Sequence, residues 1–226
     1  MDRKQLATIT GAAVAVAAFP LFVKRRFTPW QRNWGATEDE QLRVMPGDDF
    51  VVAPEYVTTR AITVDAPPDA IYPWLAQMGY RRGGLYSYDF LDRLFGFLDA
   101  PSSKVILPHS QDLKPGDVIP VGKGEPFPVK DLKKDEFLLL AGESEGIRWT
   151  WATALYPAED GMTRLVTRNT GAGMGDGFPK RLMFLGVDLA AFIMVRRWLK
   201  VLKARSETLC WKSEKQVPVG ESHATR

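Results

Sequence analysis

Residues that build disulfides and metal sites are scarce in this chain. A single cysteine, Cys210, in 226 residues excludes an internal disulfide framework. Only two histidines, His109 and His223, accompany it, so no zinc-type ligand set exists, and neither a metal nor a cofactor is expected. A net charge of +3 is too small to argue for nucleic acid, and no recognised nucleic-acid module is present. No nucleic-acid partner is expected.

Charge is missing altogether from Gln5 to Val23, QLATITGAAVAVAAFPLFV. As a helix these 19 residues reach about 28 Å, close to the ~30 Å hydrocarbon core of a bilayer. Arg3 and Lys4 flank one side; Lys24, Arg25 and Arg26 flank the other. Residues 1–26 are therefore read first as a single-pass membrane anchor. The heavier positive flank lies C-terminal, which puts the following domain on the cytoplasmic side. Two readings stay open beside it. One is a cleaved secretory signal, for which Ala15-Val16-Ala17 resembles a cleavage site, although the basic flank argues against export. The other is a helix lying on the membrane surface.

Residues 27–57 read as a juxtamembrane linker. Trp30 and Trp34 sit where interfacial aromatics are found, and Thr37-Glu38-Asp39-Glu40 fits a capping box that opens a brief helix. The main unit, residues 58–209, opens with TRAITVDAPPDAIYPWLAQMG. Alternation over Thr59–Val64 predicts a strand. Pro67 and Pro68 stop it and suit the first turn of a helix, whose apolar face is Ile71, Trp74, Leu75 and Met78. Pro73 predicts a kink or two short helices. After an irregular stretch with a helix over 87–96, capped by Ser87 and supported by an Asp89–Arg93 pair, come strands at 117–121, 127–132, 137–142, 148–156 and 162–170. Turns every eight to twelve residues make this an antiparallel meander. Pro179 to about Leu209 reads as one long helix, apolar nearly all round in its first half and hence buried. Residues 210–226 are a polar tail, expected to be disordered. The fold class is α+β. A curved sheet crossed by one long helix leaves a gap between them, commonly a ligand cavity.

The segments WGATEDE, PGDD, RAITVDAPPDAIYPWLAQMG, GGLYSYD, ILP…QDLKPGD and WTWA resemble the START-like helix-grip superfamily, the polyketide cyclase/dehydrase and lipid-transport group known as SRPBCC. The likeness runs from about Trp34 to Arg205 and points to a bacterial, membrane-anchored subgroup. It implies a curved antiparallel sheet wrapped around a long C-terminal helix, with a hydrophobic pocket between them. It also implies a hydrophobic small molecule or lipid as partner. No catalytic set is shared across the superfamily, so none carries over. Binding, in transport or sensing, is the first reading, with the membrane as second partner through the N-terminal helix. The alternatives are a cyclase or dehydratase acting on a polyketide-like substrate, and a non-catalytic, membrane-tethered interaction module.

Candidate ligand-binding residues are Tyr86, Tyr88, Trp149, Trp151 and Arg168. Each aromatic serves equally as plain core. Arg60 and Arg168 lie within strands; facing a cavity, either would hold an anionic group, but solvent exposure on the outer face is the first expectation. Asp188 interrupts the apolar helix. A wet stripe shared with Arg181, Arg196 and Lys203 explains it; the functional alternative is a general base projecting into the cavity. Gly171 to Gly177 reads G-x-G-x-G, outside any parallel βαβ unit, so it predicts a hinge beside the cavity mouth rather than a dinucleotide site. His109 is read as surface, and no nucleophile role is expected of Cys210.

Overall fold

In a computed structural model, residues 23–173 and 178–216 are described. A π-helical turn, Val23–Phe27, runs into α1 (Thr28–Arg32), and α2 spans Glu38–Leu42. The predicted capping box is present: Thr37 Oγ1 accepts from the Glu40 amide, and Glu40 accepts from the Thr37 amide. β1 (Tyr56–Val64) leads through the proline pair into α3 (Pro68–Ala76), with Pro68 at the helix start. Pro73 does not split α3, which runs as one helix of 9 residues. Next come α4 (Asp89–Leu94) and the strands β2 (Val118–Ile119), β3 (Phe127–Lys133), β4 (Phe137–Ser144), β5 (Ile147–Pro157) and β6 (Thr163–Ala172). The last element is the long helix α5, Phe178–Gln216.

The strands form one antiparallel sheet in the order β1-β6-β5-β4-β3-β2. Register decides what each face carries. Ile62, Leu165, Leu155, Leu138 and Leu140 turn to the concave face, where Trp198, Leu199 and Leu202 of α5 and Ile71, Trp74 and Leu75 of α3 complete the main core. Ala61, Val166, Ala152, Ala154 and Leu139 turn to the convex face and pack under Met45. A six-stranded antiparallel sheet with a long C-terminal helix fits the helix-grip fold.

Several expectations need correcting. Ser87 does not cap α4; its hydroxyl donates instead to Asp92 (2.5 Å), and Asp89 accepts from Ser102 rather than pairing with Arg93. The helix α5 continues to Gln216, so residues 210–216 are helical rather than tail. Trp34 is half-buried against the main core, while Trp30 is exposed. Among the described residues no helix is long and apolar enough to cross a membrane. Residues 1–22 of the expected anchor, residues 217–226 of the tail and residues 174–177 of the glycine run lie outside the described residues.

Both strand arginines are buried rather than solvated, Arg60 at 1% exposure and Arg168 at 5%. Arg168 lies on the convex face and pins the segment that covers it. Its guanidinium donates to the carbonyls of Glu40, Gln41 and Arg43, to Thr59 and to Asp48. Arg164 does the same nearby, gripping both Glu40 carboxylate oxygens (2.7 and 2.8 Å), Thr63 and the Gly35 carbonyl. Gly35 must be glycine: φ is +76°, and a Cβ would stand 2.1 Å from the Ala61 carbonyl oxygen.

Burial pushes the Glu40 carboxyl upward, but the Arg164 and Thr37 hydrogen bonds outweigh it and hold the group below the usual carboxylate range. A depressed folded-state value adds stability above the unfolded-state pKa, and that stability disappears as pH falls through the folded value. Glu40→Gln is therefore expected to lower Tm near neutral pH and to converge on wild type once pH has fallen through the depressed folded-state value. Thermal melts across that range check this. A Tm deficit independent of pH would show that the carboxylate charge contributes nothing.

Candidate functional site

The concave face and α5 enclose a cavity of about 420 Å³. Each wall has its own source. Met78 follows α3, and Leu85 and Phe97 come from the irregular stretch around α4. Ile119, Phe127 and Trp151 come from β2, β3 and β5. Ala191, Met194, Val195 and Trp198, spaced by three and four, are the face that α5 presents. The aromatics interlock edge to face. Phe127 meets Trp151 at 5.6 Å between centroids, and Trp151 meets Trp198 at 5.4 Å.

The polar groups of this lining are turned away from the space. The Trp151 indole N–H donates to Thr167 Oγ1 (2.9 Å), and that of Trp198 meets the Met78 sulfur (3.2 Å). Ser87 directs its hydroxyl at Asp92, whose carboxyl burial pushes above the usual range; the Ser87 hydrogen bond opposes the shift and the Asp89 charge adds to it. Glu125 is exposed. The described lining thus presents hydrocarbon, ring faces and sulfur. It has no facing acid and base.

Of the aromatics singled out from the sequence, Trp151 lines the cavity. Trp149 stands one step outward, its ring edge-on to Phe127 at 5.7 Å. Tyr86 lies behind the wall: it is buried, stacked edge-on to Trp74, crossed by the Arg205 guanidinium at 4.6 Å, and bonded through its hydroxyl to Gln77 (2.6 Å). Burial pushes that hydroxyl up to about 12. Gly83 leaves room for it, since a Cβ there would sit 2.3 Å from the Tyr86 hydroxyl. Tyr88 is partly exposed beneath Arg197. Arg168 is on the opposite face of the sheet and does not meet the cavity.

Asp188 is buried, not part of a wet stripe, and it is not free to act as a base. Gln31 Nε2 (2.8 Å), Arg32 Nε (2.9 Å) and the Tyr56 hydroxyl (2.8 Å) converge on its carboxylate, with Arg60 Nη2 at 3.7 Å. Burial, then the Asp188 charge, raises the Tyr56 hydroxyl above its ordinary value. This cluster ties α1 and β1 to α5. Among the described residues no group of three or more His, Cys, Asp or Glu side chains is placed to hold a metal.

Apart from Trp151, sequence reasoning singled out none of these residues as lining, Leu85, Phe97 and Met194 included. Met194 was within reach, because it lies four residues before Trp198. Leu85 and Phe97 fall in a stretch without periodicity and carry no such signal.

No family model matches the chain, and no curated protein does. Among solved structures, the Helicobacter pylori protein jhp0584 is 15% identical, with 70% of this chain and 92% of that one covered, at a TM-score of 0.43. CalU16 of Micromonospora echinospora is 14% identical over 70% of this chain and 86% of its own, at 0.33. DynU16, from the dynemicin biosynthetic locus, is 16% identical over 66% of this chain and 48% of its own, at 0.38. Likenesses this loose say nothing about what the protein binds.

Proposed function

We propose that this protein binds a hydrophobic small molecule or lipid in the sheet–helix cavity and does so at a membrane. The carrying observation is the lining: about 420 Å³ bounded by apolar side chains, with both indole N–H groups already bonded inside the protein. Such a surface rewards removal of hydrocarbon from water, at roughly 25 cal/mol per Å², and offers nothing that would orient a polar ligand. General acid–base catalysis needs two convergent groups. The described lining does not offer a cyclase such a pair, so carriage or sensing is the better reading. The uncharged run from Gln5 to Val23 and its basic flanks support a membrane location with the domain on the cytoplasmic side. A ligand of this kind partitions into the same bilayer.

The test is native mass spectrometry of the full chain purified from cells, followed by identification of released small molecules. Wild type is expected to carry an apolar molecule. Ala191→Trp, which puts an indole into the cavity from α5, should lower its occupancy while the delipidated protein keeps its fold by circular dichroism, through an affinity loss of about tenfold or more, or about 1.4 kcal/mol. Equal bound masses in both proteins, or none in either, would count against the reading.

A further inference from the structure

The surface beside the cavity carries a cluster of exposed large apolar side chains. On α4 and just after it, Phe90 is 76% exposed, Leu94 67% and Phe95 61%, with Leu91 beside them. Across from α4, Leu189 and Ile193 are exposed on α5. One turn beyond Ile193, Arg197 lies over the Tyr88 ring, immediately before α4, so the two exposed sets adjoin. They flank the cavity itself: Phe97, two residues after Phe95, and Met194, next to Ile193, both line it. Contiguous exposed patches of this kind mark interaction surfaces.

Two observations say what covers this one. The first is where the described fold begins. The uncharged run before Lys24 joins the described fold through α1, whose exposed Trp30 stacks edge-on against Phe192 (5.5 Å), the neighbour of Ile193. The second is charge. Arg197 crosses Tyr88, Lys123 lies against Gly96, and Arg93 is exposed on α4. Of the acids of the same region, Asp92 is buried, Asp89 bonds Ser102 and Asp99 faces Arg81 at 3.7 Å, while Glu125 at the cavity is exposed two residues from Lys123. An apolar patch of Phe and Leu rimmed by Arg and Lys has the composition of a surface that seats in the headgroup layer of an anionic bilayer.

We propose that the α4 face, with Leu189 and Ile193 of α5, docks on the surface of an anionic lipid bilayer, so that the cavity opens towards the membrane rather than towards water. This rests on the membrane location proposed above and adds to it the face that meets the lipid.

The experiment uses the full chain with Cys210→Ser and one new cysteine, Leu94→Cys or Ile193→Cys, labelled with the environment-sensitive dye NBD. Lys134→Cys, on the exposed β3–β4 turn, is the reference. Each protein is reconstituted into phosphatidylcholine–phosphatidylglycerol vesicles, with and without brominated acyl chains, and vesicle flotation is scored in parallel. The expected result is flotation, a blue shift at Leu94 and Ile193, and quenching by the brominated lipid at both sites but not at Lys134. Flotation with solvent-like, unquenched labels at both sites would overturn the docking face and leave the membrane location standing. Failure to float would overturn the membrane location and the docking with it. Blue-shifted labels that brominated lipid does not quench would show that residues 5–22 or a second copy covers the face, which also overturns it. Ligand binding enters none of these readouts, so the cavity reading stands or falls separately.

Discussion

Asp188→Leu is expected to produce the largest loss of stability of any single substitution considered. The carboxylate is the shared anion of Arg32 and Arg60, and these differ in what they can do without it. Arg32 is about one-third exposed and can turn to water. Arg60 cannot: it is 1% exposed, held by its Nε to the Gln31 carbonyl, with its guanidinium over the Phe192 ring at 5.5 Å. Its Nη2 has no hydrogen-bond partner even in the wild type, so the nearby carboxylate is its principal compensation. Removing one member of a buried ion pair costs about 3–5 kcal/mol, mostly because the other charge stays behind. For a domain of this size that lowers Tm by roughly 6–20 °C. The double variant Asp188→Leu/Arg60→Met removes the stranded charge along with its partner and should recover a large part of the loss. Thermal melts of the two single variants and the double variant decide the point. Should the double variant fall as far as the sum of the singles, the two groups are not coupled.

Arg168→Met is expected to come second, at about 3 kcal/mol and a Tm drop of roughly 6–12 °C. The lower end applies because its acid partner, Asp48, is partly exposed and regains water. What the protein loses is geometric. One planar guanidinium reaches five acceptors at 2.6 to 3.0 Å, three of them carbonyls in the segment from Glu40 to Arg43. Arg168→Lys keeps the charge but cannot span that set from a single nitrogen, so it should lose most of the same stability. Hydrogen exchange adds a local readout: amides of residues 37–50 should exchange faster while those of the β4–β5 ladder change little. A lysine variant as stable as wild type would mean that charge alone, not the fork of donors, holds the covering segment.

Local chemistry was legible wherever a few neighbouring residues settle it. The Thr37–Glu40 box closes within one turn, and Pro67-Pro68 ends a strand because neither proline nitrogen can donate. The meander is legible because turn residues recur between strands. β3 and β4 pair across the charged residues 134–136, and β5 and β6 follow in order. Alternation put Trp149 and Trp151 on one face of β5, but that this face is the concave one, and that Trp151 rather than Trp149 reaches the cavity, came only with the structure. Ser87 was misread as a cap because its better acceptor, Asp92, comes into reach only after α4 has formed.

Element order, the antiparallel meander and one long helix could be read from residue order, since they follow from periodicities of two and 3.6 and from prolines and glycines that act on their own neighbours. Which buried groups meet was settled by folding. Arg60 and Asp188 lie 128 positions apart, and Arg168 lies 120 positions from Asp48. A charge in a strand reads as exposed until something distant covers it. It was the packing of α1 and α5 over one face of the sheet, and of the segment around α2 over the other, that put both arginines inside. The same packing turned the Trp151 and Trp198 indole N–H groups and the Ser87 hydroxyl back into the protein and left the space between sheet and helix apolar.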